Sequence, residues 1–310
     1  MKLLIEIPTW LGDAIMATPA IENIIKKHKD SEITIVGSYV ATQLFINDKR
    51  ISKIVIDNTK KDMFRYISLY KLAKSLGKFD LSISFRSSFS SKFLLFFTNS
   101  LEKYNYKKIR EIKHQVLKYN EFINTISNSN FIAGDLILNF SPIYNIKPTL
   151  GINPGSTYGS AKRWYPKEFA KVAIELSNKY NIVIFGGPDE TNIANDIEKE
   201  LILKGIKNYQ NLSGKTSIKE LIENIAGLDI LITNDSGPMH IAAAYKIRTY
   251  SIFGPTSFIE TNQWNNPLEN IITMNLDCAP CMKRNCPLKH HNCMKLITAN
   301  DVLKSINNLT

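Results

Sequence analysis

Leu150-Gly151-Ile152-Asn153-Pro154-Gly155-Ser156-Thr157-Tyr158-Gly159-Ser160-Ala161-Lys162-Arg163-Trp164-Tyr165-Pro166 decides how the fold is read. A short apolar run breaks at Asn153-Pro154 into a loop of glycines and hydroxyl residues, and Pro166 then opens a stretch of helical periodicity. This strand, loop and helix stand at the midpoint of a 310-residue chain. Beyond them the alternation continues, with strands predicted at 150–153, 181–185, 229–233 and 249–253 and helices at 167–179, 192–203, 218–226, 238–244 and 301–309. Before them it has already run once: strands at 2–7, 32–37, 51–56 and 80–85, helices at 14–28, 40–46, 63–76, 89–97 and 116–126. The Asn-rich stretch 127–148, punctuated by Gly134, Pro142 and Pro148 around one strand-like run at 135–140, reads as the passage between the two. The fold class is therefore α/β, with two doubly wound, Rossmann-like domains at 1–147 and 148–310 facing across a cleft. The C-terminal helix is free to pack back on the first domain.

The composition, 44% hydrophobic and 22% charged, is that of a globular protein and excludes disordered and fibrous classes. No apolar run approaches the roughly 20 residues of a membrane span. The N-terminus lacks the features of a signal peptide, so a cytoplasmic location is expected. The net charge is +11, and residues 1–150 hold 22 Lys and Arg against 13 acids while residues 151–310 hold 17 against 15. A basic first half suits nucleic acid, anionic lipid or a phosphorylated substrate, or is a solvated Lys-rich face. No nucleic-acid-binding motif accompanies it.

Three loops carry chemistry. Pro8-Thr9-Trp10-Leu11-Gly12-Asp13 follows the first strand; it has one glycine where a dinucleotide fingerprint has three, and Asp13 is its only acid, a helix cap or a general base. The loop 153–164 offers backbone N–H groups, Ser156, Thr157 and Lys162 to a phosphate, without the order of a P-loop. Asn234-Asp235-Ser236-Gly237-Pro238-Met239-His240 joins a strand to a small-residue helix; Asp235 or Ser236 can cap it, and its free N–H groups form an anion site.

Taken with Phe253-Gly254-Pro255-Thr256, these segments resemble, in order and over the whole chain, the ADP-heptose:lipopolysaccharide heptosyltransferases, glycosyltransferase family 9. The Ala161-Lys162-Arg163-Trp164 and Asn234-to-His240 forms are more similar to the heptosyltransferase II branch than to heptosyltransferase I. The resemblance implies a GT-B transferase that inverts the anomeric centre without a catalytic metal or cofactor. It implies ADP-heptose as donor, held by the second domain, and a Kdo-lipid A heptose acceptor met by the basic first domain at the cytoplasmic face of the inner membrane. It places Asp13 as the base that deprotonates the acceptor hydroxyl. Ser156, Thr157 and Lys162 match the diphosphate loop, and Asp235, Ser236, Gly237 and His240 the segment that holds the donor. Gly12, Arg86 and Ser87 are candidate acceptor contacts. Heptosyltransferase I or a GT-B transferase of another nucleotide-linked sugar, and a basic membrane- or nucleic-acid-binding module without catalysis, are the alternatives.

All four cysteines, Cys278, Cys281, Cys286 and Cys293, fall within sixteen residues. The first C-x-x-C suits half of a tetrahedral zinc site, but the later spacings do not repeat it, so the cluster reads as a structural zinc site or as free thiols in a loop.

Overall fold

In a computed structural model, described over residues 1–307, the chain forms two α/β units, residues 1–139 and from Phe140 onward. The first is a parallel sheet of β1 (Lys2–Glu6), β2 (Glu32–Gly37), β3 (Ile51–Ile56), β4 (Lys78–Ser84) and β5 (Asn99–Asn105), in the order β3-β2-β1-β4-β5. Helices cover both faces of such a sheet, so the middle of its central strand is apolar, with Leu3, Leu4 and Ile5 buried. The strand order reverses between β1 and β4, and the loops that leave those two strands flank the crevice where doubly wound sheets bind ligands.

The second unit repeats the plan with β6 (Thr149–Asn153), β7 (Asn181–Ile184), β8 (Tyr209–Asn211), β9 (Ile230–Asn234), β10 (Arg248–Phe253) and β11 (Glu269–Thr273), all parallel, in the order β11-β10-β9-β6-β7-β8. Its reversal lies between β6 and β9, where Ile152 faces Ile232 in register. Among the described residues no helix is long and apolar enough to cross a membrane.

Several elements depart from expectation. The helix expected at 14–28 is two, Leu11–Met16 and Thr18–Lys27, because Pro19 has no N–H to continue the ladder and the Thr18 hydroxyl donates to the Ile15 carbonyl at 2.7 Å. The run 135–140 is not a strand; Leu136 and Phe140 are buried, and the Ile137 N–H donates to the Thr18 hydroxyl rather than to a neighbouring strand. Residues 140–147 belong to the second unit, since the Tyr245 hydroxyl donates to the Phe140 carbonyl and the Ile143 N–H to the Glu223 carbonyl. The C-terminal helix, Ala299–Asn307, packs its buried Val302 and Ile306 into the core of the second unit. Asn308 and Leu309 of the expected helix lie outside the described residues.

Candidate functional site

In the first unit the loop after β1 carries Gly12 and Asp13. Ser38, which caps the helix after β2, also donates from its hydroxyl to the Thr9 carbonyl at 2.8 Å and so fixes this loop from the side. Asp13 is not a cap. Trp10 occupies the N-cap position with no side-chain bond, and Asp13 sits within the first turn, where the helix's free N–H groups favour negative charge. The carboxylate is half-buried and close enough to Tyr119 to act on it: burial first, then the Asp13 charge, pushes the Tyr119 phenol well above the ordinary tyrosine value.

The loop after β4 carries Arg86 and Ser87. Ser87 is exposed, but Arg86 is drawn inward: its Nη1 donates to Glu6 Oε1 at 2.8 Å, and its backbone N–H donates to the Ser84 hydroxyl. Glu6, 1% exposed, also accepts from the Ser84 hydroxyl at 2.5 Å and the Ser91 hydroxyl at 3.0 Å. Arg86 is thus first a partner of Glu6, and only its other nitrogens are left to an anionic acceptor. Sequence reasoning missed Glu6. The available signal was an acid directly after the apolar run Leu3-Leu4-Ile5, at the end of the strand that leads into the loop.

Burial holds the Glu6 carboxyl above the ordinary glutamate value, with the Arg86 charge opposing that rise without cancelling it. A raised native pKa means that this group favours the fold most below its unfolded value and less as pH rises through the native one. In Arg86→Met the opposing charge is gone, so the loss of stability should grow with pH, reaching about 3 kcal/mol at neutrality where Glu6 is left buried without its partner. Denaturant unfolding at neutral pH and near the ordinary glutamate pKa checks this; equal losses at both would contradict it.

In the second unit, β6 and β9 end in two asparagines that tie their loops together. Asn153 donates from Nδ2 to the hydroxyls of Ser236 (3.0 Å) and Thr233 (3.2 Å); Asn234 donates to the Pro154 carbonyl (2.7 Å) and accepts from the Trp164 N–H (3.0 Å). Trp164 is buried at 1% exposure, and its indole N–H donates to the Ile297 carbonyl. Within this frame Lys162 meets Asp235: Nζ lies 2.5 Å from Oδ2, with the side chains 12% and 4% exposed, and Thr256 donates to the same oxygen at 2.7 Å. The structure therefore brings together two residues separately expected to hold a donor, and gives Asp235 the task of fixing Lys162. Thr256 supports that contact.

Ser236 occupies the N-cap position of the helix Gly237–Ala244 but makes no side-chain cap, its hydroxyl being engaged with Asn153 and Thr233. Pro238 has no N–H and the Met239 N–H donates to the Ser236 carbonyl, so the Gly237 N–H is what the first turn offers to an anion. In the loop after β6, Thr157 is exposed, whereas its neighbour Ser156 is buried and its carbonyl accepts from Arg163. His240 is also buried, at 3% exposure. Gly155 has a steric reason: a Cβ there would fall 2.1 Å from the Glu190 carboxylate.

The cysteine segment packs against the same loop. The Ala161 N–H donates to the Arg284 carbonyl, the Tyr158 hydroxyl donates to the Met282 carbonyl, and His291 Nε2 lies 2.8 Å from the Ala161 carbonyl. The Tyr158 ring has Lys162 Nζ at 4.7 Å and the Arg284 guanidinium at 5.3 Å from its centroid, so a second cation that sequence reasoning missed stands beside the first. The four thiols are free; burial, then the neighbouring cysteines, pushes Cys293 up to about 11. Among the described residues no three His, Cys, Asp or Glu side chains are arranged to hold a metal ion, so the zinc expectation finds no assembled site.

Comparison with known proteins places the chain in a family. Residues 130–292 match the model of Glycosyltransferase family 9 (heptosyltransferase). The chain is 44% identical to lipooligosaccharide heptosyltransferase 2 of Campylobacter jejuni, over 100% of this chain and 98% of that relative. In fold it is similar to the E. coli ADP-heptose lps heptosyltransferase II structure, with a TM-score of 0.82 at 20% identity over 100% and 98% of the two chains. The family 9 glycosyl transferase of Veillonella parvula gives 0.86 at 19% identity over 99% and 96%. The two parallel-sheet units thus have the GT-B fold of these enzymes.

Proposed function

The chain belongs to glycosyltransferase family 9, the heptosyltransferases, and on that premise we propose that it is a heptosyltransferase II. It moves L-glycero-D-manno-heptose from ADP-heptose to the first heptose of the lipopolysaccharide or lipooligosaccharide inner core. The observation that carries this reading is the 44% identity, over the full length of both chains, to a lipooligosaccharide heptosyltransferase 2.

Asp13 takes the proton of the acceptor hydroxyl. The freed oxygen attacks the anomeric carbon as the bond to the ADP oxygen breaks, and ADP leaves with the electron pair, inverting the centre. The leaving charge is met by Lys162, the Thr157 hydroxyl and the Gly237 N–H, with Asp235 and Ser236 as the fixed frame. These groups answer the charge that a metal neutralises in other transferases, so the reaction requires no cofactor. The acceptor is lipid-borne, which puts the reaction at the cytoplasmic face of the inner membrane, with Gly12, Arg86 and Ser87 beside the acceptor.

The test is ADP release from ADP-heptose with a monoheptosylated Kdo-lipid A, chelator present. Turnover is expected. Binding of ADP without turnover would move the assignment to another sugar or to the heptosyltransferase I acceptor, and absence of ADP binding would overturn it.

A further inference from the structure

Two helices of the first unit, Arg65–Ser75 and Phe89–Phe97, pack side by side over the core formed by Leu4, Val36, Leu69, Ala73, Phe79 and Leu94. An amphipathic helix on such a core ordinarily turns polar residues outward. These do not. Phe64, Ile67, Phe89 and Phe96 are 64%, 56%, 69% and 73% exposed, and Met63, just before the first helix, is 88% exposed. The outward rings are joined rather than scattered: Tyr66 lies 5.8 Å from Phe89 and 5.2 Å from Phe93, and Tyr70 lies 5.0 Å from Phe97. A continuous exposed aromatic surface of this kind marks an interaction site.

Its charge is one-sided. Residues 51–100 hold nine Lys and Arg against three acids, and neither helix contains an acid. Lys74 lies over the Tyr70 ring at 5.5 Å, and Lys74, Lys78 and Lys103 line a recess floored by Phe96 and Phe97. Burial, then the Lys74 charge, pulls the Lys103 ammonium below the ordinary lysine value, as expected where cations are crowded together. Among the described residues no carboxylate lies in ion-pair range of Lys71, Lys74, Lys78, Lys92 or Lys103.

We infer that this face is a membrane-docking surface, in which the exposed aromatic and aliphatic side chains enter the interface of an anionic bilayer and the lysines bind its phosphates. Rings and long apolar side chains flanked by lysines are the composition of interfacial segments, where apolar burial and attraction to anionic headgroups act together. The charge argues against a second copy of the chain, since a two-fold interface would set lysines against lysines. Ile67 and Met63 give a nucleic acid nothing to stack on. The inference deepens the proposed lipid-borne acceptor by naming the surface that brings the enzyme to it.

Co-sedimentation of the full chain with vesicles of phosphatidylcholine, alone or mixed with phosphatidylglycerol, is the test. Binding to the mixed vesicles only is expected, weakening as salt is raised. Phe64→Ser/Ile67→Ser/Phe96→Ser should bind at least tenfold more weakly, and Lys71→Ala/Lys74→Ala/Lys92→Ala should lose about fivefold per lysine. Both variants should turn over a delipidated, soluble acceptor as the unaltered chain does, which shows that they fold. Failure of the unaltered chain to bind mixed vesicles, or equal binding by the variants, would overturn the inference. So would a dimer that the aromatic variant dissociates, or displacement from vesicles by a short DNA duplex at matched phosphate. If vesicle binding holds while the soluble acceptor is not turned over, the transferase reading fails and the docking surface stands.

Discussion

Asp13→Asn is expected to lower turnover by about 10²–10⁴-fold, the range lost when a positioned general base is removed, while ADP-heptose binds as before. The substitution keeps the shape of the side chain and removes its ability to accept a proton. It should not unfold the protein, because Asp13 caps no helix: Trp10 holds the N-cap position and no side chain closes it. An independent reading is available in Tyr119, whose phenol is pushed up by burial and additionally by the Asp13 charge. In Asp13→Asn the second cause disappears, so Tyr119 should ionise at lower pH in a spectrophotometric titration. That shift, with unchanged thermal stability and the lowered turnover, would separate loss of the base from loss of structure. Unaltered turnover would remove Asp13 from the chemistry and return it to a surface role.

What could be read from the sequence follows from where each residue lies in its sheet. The central strands β1, β6 and β9 are buried on both faces and announce themselves as apolar runs, and the loops that leave them are the three in which chemistry could be read. Of the edge strands only β3, expected at 51–56 and found there, announces itself. β5 and β11 are mostly exposed or half-exposed along their length, so Asn-Ser-Leu-Glu-Lys-Tyr-Asn has neither an apolar run nor a clean alternation, and β8 is three residues long; all three went unpredicted. Pairings between distant residues are the other blind spot. Glu6 and Arg86 are 80 positions apart and Lys162 and Asp235 are 73 apart. Each motif could be assigned to a ligand on its own, but that Arg86 and Lys162 are already held by buried carboxylates depends on which strands lie next to each other, β1 beside β4 and β6 beside β9.

The pairing of Lys162 with Asp235 makes the second large prediction a comparison of variants. Lys162→Ala leaves the Asp235 carboxylate, 4% exposed, with Thr256 as its remaining side-chain partner, and should cost about 3–5 kcal/mol of stability. It also removes a charge-assisted contact to the diphosphate, worth about 1.5–3 kcal/mol, so ADP affinity should fall by about tenfold to a hundredfold. Asp235→Asn breaks the same pair from the other side. It keeps an oxygen for the Thr256 hydroxyl but leaves Lys162 a cation without its anion, and a bound diphosphate can supply that missing charge. ADP should therefore raise the melting temperature of Asp235→Asn more than that of the unaltered chain, and raise that of Lys162→Ala least, because a ligand stabilises a fold in proportion to its affinity for it. The double variant Lys162→Ala/Asp235→Ala decides whether the lysine serves the ligand or only the fold. Neither charge is then stranded, so the stability losses should be less than additive. Donor affinity should stay as low as in Lys162→Ala; if it recovered, Lys162 would be a structural partner of Asp235 and the diphosphate would be held by the loop and helix N–H groups alone.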